Sequence, residues 1–122
     1  MARLARLRGA FELAARVPAT VERASVEEWL PRVLAESRPG ATTVVFHSIV
    51  YEYFTDPVRV GFHRALEEAG ARASAAAPLV WLRFESTPAT RGYGTTLTEW
   101  PGGSERLVAT SGAHGADVRR AQ

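Results

Sequence analysis

The run Thr42-Thr43-Val44-Val45-Phe46-His47-Ser48 constrains the fold more than any other stretch of the chain. Apolar residues fill both alternating positions up to Phe46. That is the pattern of a strand buried on both faces inside a parallel sheet. Sheets of this kind bind ligands beyond the carboxyl ends of their strands. His47 and Ser48 fall at that end and are the first candidate ligand-site residues; the alternative is that His47 is a hydrogen-bonded structural residue that ends the strand.

The elements around this strand follow from spacing and punctuation. Leu4, Leu7, Phe11 and Ala14 recur at intervals of three and four, which predicts a helix over 3–16. Pro18 ends it by forcing Val17 into an extended conformation. Residues 19–24 have the composition of a short strand. Ser25-Val26-Glu27-Glu28 fits a capping box that opens a second helix, with Trp29, Val33 and Leu34 as its apolar side. Pro31 should kink or divide that helix, and Arg38-Pro39-Gly40 closes it. After the central strand, residues 48–54 are expected to turn, because a strand from 42 to 54 would be long for so small a domain. Asp56-Pro57 starts a third helix, with Asp as cap and Pro in the first position. Val58, Phe62, Ala65, Leu66 and Ala69 share one face, and Gly70 is expected to end the helix as a left-handed cap.

An Ala-rich loop over 71–77 leads to a second apolar strand, Leu79 to Glu85. Strand, helix, strand in that order is a crossover unit, so the two strands should be parallel. Residues 86–94 are expected to form a surface loop, although Arg91-Gly92-Tyr93-Gly94 has the flexibility of a lid. Then comes a hairpin, Thr95 to Trp100 and Glu105 to Ser111, about the turn Pro101-Gly102-Gly103-Ser104. The polar tail from Gly112 is expected to fray. Trp81 and Trp100 are expected in the core, and His63 on the surface near Glu67.

Composition narrows the function classes. All 15 basic residues are Arg, the net charge is only +2, and Arg alternates with Glu. No clustered basic face of the kind nucleic acid requires is visible, so no nucleic-acid partner is expected. The Arg-, Ala- and Gly-rich usage is what GC-rich codons give. The absence of Cys removes disulfides and thiolate metal sites. Three His and two Asp at scattered positions make no metal site. No apolar run approaches the roughly 20 residues that span a bilayer, and there is no secretory signal. The expectation is a cytoplasmic protein without a membrane partner.

Beyond His47 and Ser48, Tyr51 and Glu52 are candidate ligand-site residues. They would line a pocket mouth, or else pack with Tyr53 beneath the next helix. No acidic partner lies near His47 and Ser48 in sequence, and no Gly-x-Ser-x-Gly elbow is present, which argues against a hydrolase. His114 would meet His47 only if the hairpin folded back across the end of the sheet.

Ordered segments along almost the whole chain carry a family resemblance. They include Arg3-Leu4-Ala5-Arg6-Leu7-Arg8, Glu28-Trp29-Leu30, Val44 to Val50, Leu66 to Ala73, Ala77 to Leu82, Trp100-Pro101-Gly102-Gly103 and His114-Gly115. With these the chain resembles a bacterial family, the domain of unknown function 2332. The resemblance implies a similarity to methyltransferases that use S-adenosylmethionine. Family members carry an upstream segment in which an acidic residue precedes a Gly-containing turn that looks like a cofactor loop. No Gly-rich turn follows a strand here before Gly40, and Ala116-Asp117-Val118-Arg119-Arg120 replaces the family's Trp after His-Gly.

The expected fold is therefore α/β, a partial Rossmann-like, methyltransferase-like sheet with helices on its faces and a C-terminal antiparallel hairpin. The chain is expected to be a single domain, an N-terminally truncated part of a larger one. The resemblance implies no cofactor for this chain, which should be inactive alone, and S-adenosylmethionine for a full-length relative. The alternative is a non-enzymatic module that binds a partner through an open sheet edge. Such an edge on the central strand calls for a homodimer, a missing N-terminal segment, or closure by residues 19–24.

Overall fold

The computed structural model describes residues 2–87, 92–112 and 114–121. The fold is mixed α/β. Three helices, α1 (Ala2–Arg16), α2 (Val26–Val33) and α3 (Asp56–Arg72), accompany five strands, β1 (Thr43–Ser48), β2 (Leu79–Thr87), β3 (Gly92–Trp100), β4 (Ser104–Ser111) and β5 (Arg119–Arg120). The strands lie in one sheet in sequence order. β1 and β2 are parallel, with His47 opposite Arg83, and α3 is the crossover between them. The remaining pairs, β2–β3, β3–β4 and β4–β5, are antiparallel.

Local chemistry explains the helices. Ser25 caps α2 by accepting the Glu28 N–H at 3.3 Å, as the capping-box pattern requires. α2 is continuous through Pro31, which sits near its carboxyl end. Its buried side is Leu30 and Leu34, with Val26 and Val33 packed beside them, and Trp29 turns toward solvent. α3 begins one residue earlier than the Asp-Pro signal suggests. Thr55 is its boundary residue and Asp56 lies in the first turn, where a carboxylate favours the helix dipole. Gly70 does not end α3, which runs on to Arg72. It is a close-approach position, since a Cβ there would stand 2.5 Å from the Trp100 indole.

The core lies between α2, α3 and one face of the sheet. Leu30 and Leu66 are its most enclosed side chains, joined by Phe62, Leu79, Trp81 and Trp100. Full burial of a Leu contributes about 1.5–3 kcal/mol, so these two residues anchor the helix pair.

Several expectations are corrected. β1 has the open edge expected of it, but the 19–24 segment does not form the expected short strand to close it. β1 is not buried on both faces. Thr43, Val45 and His47 face the helices, whereas Val44 and Phe46 on the opposite face are 54% and 63% exposed. The helices packed in the core cover one face rather than both, because the apolar stripes of α2 and α3 meet each other as well as the sheet. The expected loop at 86–94 is shorter. β2 continues to Thr87 and β3 begins at Gly92, which puts Gly92 to Gly94 in a strand, while residues 88–91, with Arg91 of the lid-like segment, lie outside the described residues. The tail does not simply fray, because Arg119 and Arg120 pair with Thr110 and Ala109.

Candidate functional site

β1 delivers its last two side chains to opposite faces, as strand geometry demands. His47 faces α3, and Ser48 is exposed on the other face. The chain then reverses sharply. Ile49 adopts a φ of 49°, a left-handed conformation that costs a β-branched residue of order 1–3 kcal/mol. Its N–H bonds the Phe84 carbonyl at 2.9 Å, which holds the reversal in place. A single 3-10 turn, Tyr51–Tyr53, follows.

This reversal aims two backbone N–H groups at one carboxylate. Val50 and Tyr51 donate to Glu85 Oε1 at 3.1 and 3.2 Å, and His47 Nδ1 approaches the same oxygen at 2.8 Å. Glu85 reaches the site from β2, two residues beyond Arg83, the partner of His47 in the parallel register. Three donors on a half-buried oxygen compensate for its lost hydration.

The far side of His47 fixes its protonation. The Trp81 indole N–H lies 2.9 Å from His47 Nε2, and an indole nitrogen can only donate. Nε2 must therefore accept, so Nδ1 carries the proton and donates it to Glu85. Burial pushes the His47 pKa below 6.5, against the raising effect of Glu85 and with help from Arg83, consistent with this neutral ring. With both nitrogens engaged, His47 orients its neighbours and has no free lone pair for chemistry.

The group with reactive potential lies one step outward. Tyr51 stacks on the His47 ring at 6.1 Å and places its hydroxyl 2.6 Å from His63 Nε2. α3 supplies His63, whose ring meets Trp81 edge-on at 5.1 Å. Burial raises the Tyr51 pKa above 10, and the charges of Arg59 and Arg83 oppose that rise. A phenol hydrogen-bonded to an imidazole can pass a proton in either direction.

This pair borders a cleft of about 300 Å³ lined by Tyr51, His63, Trp81, Arg83, Glu85 and Glu105, among others. The Arg83 guanidinium lies 4.0 Å over the Trp81 ring and donates through Nη2 to Glu105 Oε2 at 2.5 Å. Among the described residues, its Nη1 is buried without a hydrogen-bond partner.

The structure thus brings together two of the four residues singled out in the sequence, His47 and Tyr51. Ser48 lies on the other face, and Glu52 is exposed on the 3-10 turn. Sequence reasoning missed Glu85 and Arg83; it placed His63 on the surface, where it is exposed, but missed its contact with Tyr51. A signal was present: Trp81, Arg83 and Glu85 alternate along a strand expected to run parallel to β1, so their polar end must lie beside His47. His114 lines a separate groove with Arg3, Arg6, Leu7 and Ala10.

A family model described as uncharacterized protein conserved in bacteria, DUF2332, matches residues 1–120. The chain belongs to DUF2332. No curated protein and no solved structure matches it. In this DUF2332 chain the Trp-Pro-Gly-Gly segment forms the turn from β3 to β4, with Trp100 seated on Gly70. Among the described residues, no three His, Asp or Glu side chains are grouped to hold a metal ion. No helix among them is long and apolar enough to cross a membrane.

Proposed function

We propose that this chain is the acceptor-binding part of a methyltransferase-like protein, in which the cleft beside Tyr51 and His63 receives a small organic molecule. One observation carries the reading. The 2.6 Å contact between the Tyr51 hydroxyl and His63 Nε2 borders the cleft at the carboxyl end of a parallel strand pair, where open α/β sheets bind ligands. There the pair would accept a proton from a hydroxyl or amine substrate. The Rossmann-like kinship is supported by the β1–α3–β2 crossover and the antiparallel hairpin that follows.

The described residues do not fit S-adenosylmethionine. The resemblance puts the Gly-containing cofactor turn upstream of these stretches, and among the described residues no strand followed by a Gly-rich turn precedes Gly40 to supply it. The chain alone is therefore proposed to be inactive in methyl transfer. The test is amide and indole NMR of the labelled protein, titrated with a fragment mixture and separately with S-adenosylmethionine. Fragments are expected to move the Trp81 indole signal and the amides of Tyr51 and Gly94, and the cofactor none of these. A cofactor-induced shift at Ser48 to Val50 would overturn the claim of inactivity. Fragments that leave the cleft signals in place would overturn the acceptor reading.

A second reading has its own observation. β1 is an uncharged edge strand whose Val44 and Phe46 are exposed, which favours a module that pairs with a second copy.

A further inference from the structure

We infer that the ligand of the cleft is a small zwitterion, an α-amino acid or a close analogue with an ammonium and a carboxylate on neighbouring atoms. This rests on the acceptor-binding reading above and adds the substrate class to it.

Two unequal demands meet inside one cleft. Arg83 is held by Trp81 beneath it and Glu105 beside it, yet Nη1 has no partner among the described residues. A buried guanidinium N–H without an acceptor is costly, so the site favours a ligand that brings one. Arg83 itself lines the cleft, so a carboxylate that enters it meets the guanidinium. An anion alone would satisfy it but would also face two carboxylates, Glu85 and Glu105, in the same lining.

Those carboxylates set the opposite demand. Glu85 Oε1 is saturated by His47, Val50 and Tyr51, so its other oxygen is the one left to meet a ligand. Glu105 is half-exposed and shares its Oε2 between Arg83 and a long contact from Thr98. A simple amine would suit both carboxylates and leave Nη1 unpaired. Only a ligand with both charges meets both demands. Arg83 and Glu85 project from the same face of β2, with stems about 7 Å apart by strand geometry, so the two charges of one small ligand can each address one of them. Tyr51 and Trp81 supply aromatic wall for the remainder of the molecule. The Tyr51–His63 pair would then stand next to the amine, placed to take its proton.

Three probes on one skeleton separate the possibilities: L-phenylalanine, phenethylamine and 3-phenylpropionate, measured by NMR titration at the Trp81 indole signal. Phenylalanine is expected to bind at least about tenfold more tightly than either single-charge probe, a difference of about 1.4 kcal/mol. Arg83→Gln should weaken phenylalanine and phenylpropionate but spare phenethylamine, and Glu105→Gln should weaken phenylalanine and phenethylamine but spare phenylpropionate. Thermal unfolding of each variant shows whether the fold is intact. Equal binding of all three probes, or a preference for one single-charge probe, would overturn the zwitterion. So would silence from all three while uncharged fragments still move the cleft signals, and in that case the acceptor reading stands. Silence from every probe and fragment in a folded protein would overturn both.

Discussion

At the residue scale, the organising contact is the one between Trp81, His47 and Glu85. The indole can only donate, the carboxylate can only accept, and the imidazole between them must do one of each. That requirement makes His47 a pH-sensitive support. Burial lowers its folded pKa beneath the unfolded value of 6.5, so between the two the unfolded chain binds more protons. The stability gained by keeping His47 neutral is complete above pH 6.5. It is lost as the pH falls from there toward the folded pKa, and it levels off below that. His47→Gln retains a donor and an acceptor but cannot titrate. Urea unfolding of both proteins between about pH 8 and pH 5 should show the wild type losing its advantage over the variant on the acid side. Parallel curves for the two proteins would mean that His47 does not titrate on unfolding in this way.

At the element scale, α3 carries the fold and shows what its sequence alone could and could not tell. Its apolar face, Phe62, Ala65, Leu66 and Ala69, was legible because a 3.6-residue period depends only on the helix itself. The parallel pairing of β1 with β2 was legible for a similar reason, since a helix between two apolar strands leaves few other connections. Gly70 was misread because its role is tertiary. Glycine near a helix end ordinarily signals a cap, but here it admits the Trp100 indole from a strand 30 residues later in the chain. The same logic hid Glu85 and His63, which reach His47 and Tyr51 only through sheet register and helix docking. The two glycines inside α3 put this to a test. Gly61→Ala meets nothing within 4 Å and should stabilise the protein by about 0.5–1 kcal/mol through helix propensity. Gly70→Ala gains the same propensity but drives a Cβ to 2.5 Å from Trp100, and should destabilise by about 1–3 kcal/mol overall. Denaturant midpoints of opposite sign are the expected result. Two stabilising substitutions would mean that Trp100 yields easily and that its packing on α3 is loose.

At the scale of the whole molecule, the sheet has one finished side and one unfinished one. Its helix-facing side carries the core and the cleft. On the opposite side the register aligns Val44 with Val80, Phe46 with Leu82, and Leu82 with Leu97, and Phe84 stacks on Tyr93 at 5.4 Å. This apolar band reaches the free edge of β1, which has no charge or proline to discourage pairing. An antiparallel pairing of β1 with β1 of a second copy, centred on Val45, would set Val44 of each against Phe46 of the other and join the two bands into one sheet surface. The two-fold symmetry keeps both sets of helices on the same side, so the two clefts stay open. Sedimentation velocity across the micromolar range should therefore show a concentration-dependent dimer in the wild type. Phe46→Lys places a charge on the band beside the partner strand and should shift the protein to monomer, with its unfolding midpoint little changed because Phe46 is 63% exposed. A wild type that stays monomeric throughout, or a variant that associates as well as the wild type, would show that β1 is not the contact between copies.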